Sequence, residues 1–224
     1  MATGKEGTTV LSVRDLQAGG DARAGRTQHF DVLMELGDCH AALGELDQAV
    51  ECYLEAVELE PRRAGPHVGL GIAALQAGQL DDAEYWFAAA ARHEPDCAEA
   101  YGGLAIVHQQ REDFAAAFDM HLKCLELDTD NLVALLGLFQ TSCQMGSFAK
   151  VIQYLDLYLQ RHPGDTSVLF CLATLYAREG RFENARGCLR SVLALEPTKH
   201  EARDMLRQVE EHIRPTEALD ALSA

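Results

Sequence analysis

His121 and Cys124 stand three residues apart, with His108 upstream, and imidazole and thiolate are zinc ligands. Seven cysteines occur, at 39, 52, 97, 124, 143, 171 and 188, and no two are spaced as Cys-x-x-Cys. They stand mostly where Ala or Val would fit, so they read as small packing residues. No Gly-x-Ser-x-Gly elbow or phosphate-binding loop is present, and the run GLGIA at 69–73 lies inside a helical pattern, not at a strand-to-helix turn. Carboxylates are plentiful, but none is paired with a nucleophile and a base. The expectation is no catalytic residue, no metal and no cofactor, with each buried histidine satisfied by a hydrogen-bond partner.

The segments that carry these residues repeat. Helix-like runs stop at Pro61, Pro95, Pro163 and Pro197, with gaps of 34, 68 and 34 residues. The stop missing from the middle gap falls on Thr129, in LELDTDNL, a sibling of LELEPRRA and LALEPTKH. Alignment on this period makes five units, 30–63, 64–97, 98–131, 132–165 and 166–199. Position 7 of each unit is Leu36, Leu70, Leu104, Leu138 and Leu172. Position 15 is Gly44, Gly78, Glu112, Gly146 and Gly180, and position 20 is Ala49, Ala83, Ala117, Val151 and Ala185. Position 24 is Tyr53, Phe87, His121, Leu155 and Leu189.

Apolar residues at positions 4, 7 and 8, and again at 20, 24 and 27, hold helical spacing on two stretches. Glycine near position 15 ends the first helix in the left-handed conformation, and proline at 32 follows the second. Each unit is thus a helical hairpin that cannot bury both faces alone, so units must stack. Gly69, Gly103 and Gly137 share position 6, inside the first helix. Glycine there costs about 1 kcal/mol against alanine, so either close helix packing or close approach of a ligand requires it.

The leucine, glycine, alanine, aromatic and proline offsets over 30–199 resemble the tetratricopeptide repeat. Departures lie at position 4, where Leu33, His67, Tyr101, Leu135 and Leu169 replace the usual tryptophan, and in unit four, with Phe139, Val151 and Tyr158 in place of small residues. A locally widened or bent solenoid is expected there. The resemblance implies an all-α, right-handed α-solenoid, a superhelix of stacked helical hairpins. Residues 200–213 read as a capping helix that stops before Pro215, residues 1–28 as a flexible arm with one helix near Val10–Ala18, and 214–224 as a tail.

The resemblance also implies that first helices line an inner wall through positions 2, 5, 9, 12 and 13. The wall residues singled out are Val68, Ile72, Leu75 and Gln76, then Ile106, Gln109 and Gln110, then Leu136, Gln140 and Gln144, then Phe170 and Arg178. Aliphatic and aromatic groups would take apolar side chains, and amides can donate to and accept from a peptide backbone. Family members that grip acidic chaperone tails carry Lys at position 5 and Asn at position 9 of the first unit. Here position 5 is Met34, Val68, Gly102, Leu136 and Phe170, which disfavours that ligand.

The totals agree with a binding module. Basic side chains number 19 and acidic ones 35, a formal charge of −16 that repels phosphate backbones and argues against nucleic acid. No apolar run is long enough to span a membrane and no secretory leader is read, so the cysteines suggest a reducing cytoplasm. The expected function is a non-catalytic adaptor or scaffold that binds an apolar or amphipathic segment of a protein partner. The alternatives are self-assembly into a homo-oligomer through the solenoid ends or the arm, and a targeting module for a separate enzyme.

Overall fold

The computed structural model describes the backbone of residues 13–223 and the side chains of residues 24–214. These residues form helices without a strand among them. By internal packing the chain divides into two compact units, Met1–Pro95 and Asp96–Ala224. The first holds α1 (Val13–Leu43), α2 (Leu46–Leu59), α3 (Ala64–Gln76) and α4 (Leu80–His93). The second holds α5 (Ala98–Gln110), α6 (Phe114–Leu127), α7 (Leu132–Met145), α8 (Ala149–Arg161), α9 (Thr166–Arg178), α10 (Phe182–Leu195) and α11 (His200–Ser223).

Helices α3, α5, α7, α9 and α11 begin 34 residues apart, at 64, 98, 132, 166 and 200. Gly44, Gly78 and Gly180 take φ of 79°, 74° and 74° at the hairpin turns. Glu112 adopts φ 61° at the equivalent place, so the turn is imposed on a residue that has a Cβ. The second helices end on a residue that has left the helical region: Glu60, Glu94, Asp128, His162 and Glu196 have φ between −134° and −123°. Asp128 leaves it before Thr129 as the others do before proline. The stop therefore belongs to the hairpin geometry, and proline fits it without creating it. Side-chain caps from Asp113, Asn131 and Asp165 satisfy free N–H groups at the starts of α6, α7 and α9.

Packing centres on position 24. The Tyr53 ring is 2 % exposed and lies against two first helices. A Cβ placed on Gly37 would come 2.5 Å from it, and one on Gly69 would come 2.7 Å from it. Its hydroxyl donates to Asp38 Oδ1 at 2.7 Å, and burial followed by that bond pushes the phenol well up. Phe87 covers Gly71 in the same manner, 2.7 Å from a Cβ placed there. In the second unit the His121 ring lies directly on Gly137. The position-6 glycines Gly69 and Gly137 thus serve helix packing rather than a ligand.

Four observations depart from expectation. His121 is 1 % exposed, yet neither ring nitrogen has a hydrogen-bond partner, so the expected partner is missing. Leu36 is 45 % exposed, unlike its buried equivalents Leu70, Leu104, Leu138 and Leu172, because no earlier hairpin covers it among the described residues. Helix α1 starts at Val13, within the segment read as an arm; residues 1–12 of that arm lie outside the described residues. Helix α11 continues through Pro215 to Ser223, since proline removes one backbone bond and the flanking TEALDAL favours helix. In unit four, where a widened or bent solenoid is expected, α8 starts at Ala149, one place late, and α7 and α8 approach each other less than other hairpin partners do.

Three substitutions test this packing. Gly69→Ala is expected to destabilise: overlap with the Tyr53 ring costs roughly 1–3 kcal/mol, more than alanine's helix advantage of about 1 kcal/mol returns. Glu112→Gly is expected to stabilise by roughly 1 kcal/mol by removing left-handed strain. Urea unfolding measures both. Burial pushes the His121 imidazole from 6.5 down to about 4, so the unfolded chain binds its proton first on acidification. Stability contributed by the neutral ring is whole above pH 6.5 and falls towards pH 4, by on the order of 3 kcal/mol. His121→Phe should flatten that part of a stability–pH profile and raise stability at neutral pH by about 1–2 kcal/mol.

Candidate functional site

The zinc arrangement does not assemble. Cys124 is fully buried, and no group of three His, Cys, Asp or Glu side chains is close enough to hold a metal among the described residues. Burial also pushes the Cys124 and Cys171 thiols up to about 11, which leaves them protonated and poor nucleophiles at neutral pH. His108 is partly exposed and sits 3.9 Å from Asp113 across the α5–α6 turn, away from any third ligand.

In the second unit the residues singled out on first helices lie next to one another. Gln109 Nε2 on α5 donates to Gln140 Oε1 on α7 at 2.9 Å. Arg178 Nη1 on α9 donates to the Cys143 carbonyl of α7 at 3.3 Å. Thr174 on α9 reaches the Met205 sulfur of α11 at 3.8 Å. These contacts place positions 9, 12 and 13 of successive first helices on one face. Ile106, Leu136 and Phe170 are half-buried on it, and Gln110, Gln140, Gln144 and Arg178 are exposed. Leu136 and Phe170 rest against the core with one side open, which gives them a fixed position. Among the described residues Arg178 meets no carboxylate, whereas Arg161, Arg181, Arg186, Arg190 and Arg207 each pair with one.

The same face in the first unit is shorter. Ile72 is 43 % exposed, Leu75 is half-buried and Gln76 is exposed. Val68 is a correction: it is 8 % exposed and belongs to the core, because α3 presents that side to its neighbours. Asp38, at position 9 of the first repeat, accepts from the Tyr53 hydroxyl.

One part of the second unit's face went unread. Thr174, Arg178 and Phe182 form a cavity of about 320 Å³ with Met205, Gln208 and His212 of α11. The His212 ring stacks on Phe182 at 4.9 Å, and its Nδ1 bonds the Gln208 carbonyl at 2.8 Å. The signal was available: the 34-residue register carried past 199 puts Gln208 and His212 at positions 9 and 13. Helix α11 therefore lines this cavity together with α9 and Phe182.

Among the described residues no helix is long and apolar enough to cross a membrane. Models of the family "tetratricopeptide repeat" match residues 30–63 and 68–122. Protein O-mannosyl-transferase TMTC1 of Homo sapiens is 22% identical over 171 residues, which cover 75% of this chain and 19% of that protein. The chain spans about a fifth of the length of the curated relatives it matches. PilF of Pseudomonas aeruginosa superposes with a TM-score of 0.66 at 18% identity, covering 86% of this chain and 93% of that one. YrrB, described as a TPR protein with an unusual peptide-binding site, superposes with a TM-score of 0.62 at 18% identity, covering 77% and 89%. At these identities the superpositions show the fold, an all-α helical solenoid. The hairpins that recur every 34 residues, the left-handed turns between their helices and the two family matches together make this chain a tetratricopeptide-repeat protein.

Proposed function

We propose that the chain is a non-catalytic adaptor and that the first-helix face of its second unit binds an apolar segment of a partner protein. The observation that carries this reading is the row of half-buried Ile106, Leu136 and Phe170, bordered by Gln109, Gln110, Gln140 and Gln144. Apolar side chains of the partner would cover the row, and the amides would meet its backbone. Each buried side chain contributes about 1.5–3 kcal/mol, and ordering costs offset much of that, so roughly micromolar affinity is expected. Arg178, a cation without a carboxylate among the described residues, gives the face a polarity: the partner's acidic end belongs there. Ile72, Leu75 and Gln76 offer a similar, smaller strip in the first unit.

Family membership supports a protein-interaction role, and the peptide-binding site of YrrB supports a peptide as ligand. Seven cysteines without a disulfide suit a reducing cytoplasm. A second reading, a module that serves a separate enzyme, is supported by the match to one part of the much longer TMTC1.

The test begins with affinity capture and mass spectrometry to identify a bound segment, then calorimetry with that segment. Ile106→Asp is expected to weaken binding at least tenfold and Gln140→Ala several-fold, with unchanged helicity by circular dichroism. Full binding by Ile106→Asp would refute the assignment of this face.

A further inference from the structure

The first unit carries a second groove, on residues that the inner face does not use. Helices α2 and α4 both pack on α3 but stand apart from each other, and the gap between them is a cavity of about 280 Å³. Val50 and Leu54 of α2, Leu70 of α3 and Trp86 of α4 make its apolar lining, with Asp47 and Asp82 on opposite banks. Leu54 is 42 % exposed, and Tyr85, 61 % exposed, meets Trp86 edge-on at 5.0 Å. Neither Asp47 nor Asp82 pairs with a cation among the described residues, although both are exposed. Exposed Glu51 follows Asp47 by one helical turn and extends the acidic bank.

We propose that this groove is a docking site for a basic, amphipathic segment of a partner protein, with a lysine or arginine between Asp47 and Asp82 and apolar side chains over Leu54. The chemistry follows from charge complementarity. Two unpaired carboxylates flank a partly exposed indole, an arrangement that attracts a cation both by ion pairing and through the ring face. The apolar floor supplies contact that a free metal ion or a polyamine would not use. An acidic or phosphate-bearing partner is repelled by both banks. This site stands independently of the inner face, so either can fail alone.

Trp86 is the single tryptophan of the chain, so its emission reports this groove and no other. The full chain is titrated with a short amidated peptide of alternating leucine and arginine, and in parallel with its leucine–glutamate counterpart. The expected result is a saturable emission change with the arginine peptide alone, weakened several-fold by added salt. Asp47→Asn with Asp82→Asn is expected to weaken it at least tenfold. Both aspartates also favour the N-termini of their helices, so the titration is repeated on Leu54→Lys, mid-helix and exposed, with the same tenfold loss expected. No saturable change, an equal response to both peptides, or unchanged affinity in both variants would overturn the proposal. An emission change driven by the protein's own concentration and not displaced by the arginine peptide would assign the groove to a second copy and overturn it as well.

Discussion

A flat side chain can lie between two neighbouring first helices only if those helices present no Cβ where it rests. Tyr53 meets that condition by lying on Gly37 of its own hairpin and Gly69 of the next. Most of the rest depends on this contact. It sets how closely α1, α2 and α3 approach, and so which of their faces are consumed by packing. Where the ring shrinks, the glycines are replaced: Leu155 and Leu189 stand at position 24, with Phe139 and Ala173 at position 8 and Cys171 and Met205 at position 6. Volume is shifted between positions as native packing density requires.

Departures from the repeat gather in the third and fourth hairpins. His121 keeps a flat ring on Gly137 but introduces two nitrogens that nothing satisfies, which a tyrosine or phenylalanine would not. Glu112 holds a left-handed turn that glycine holds elsewhere. The α7–α8 hairpin opens, with Gly146 itself serving as the αL cap of α7 and α8 starting late. Each change spends stability in the same part of the second unit, whose inner face carries Ile106, Leu136 and Phe170.

The surfaces left over by packing differ in chemistry between the two units. In the second, first helices present aliphatic groups and amides, with the Arg178 guanidinium bonded to a backbone carbonyl. In the first, second helices present carboxylates around Trp86. Burial holds the Cys124 and Cys171 thiols protonated, and no three metal ligands converge among the described residues. The proposed partner-binding roles follow from that difference: apolar burial and amide bonding on one face, charge on the other.

The amino-acid order by itself determined the hairpins, because the information is local. Leucine at position 7, glycine at 15 and a stop near 32 each act within one or two helical turns, so the hairpin turns and the recurring helix stops could be read directly. It also implied which residues share a first-helix face, since 3.6-residue geometry needs no partner. Only the tertiary structure decided which of those residues are open. Val68 and Ile72 are one turn apart on α3, yet one is core and the other exposed, because burial depends on a neighbour that the local pattern does not contain. The same holds for the unsatisfied His121, for the cavity that α11 completes, and for the gap between α2 and α4. Each is a relation between side chains far apart in sequence, fixed when helices pack and not before.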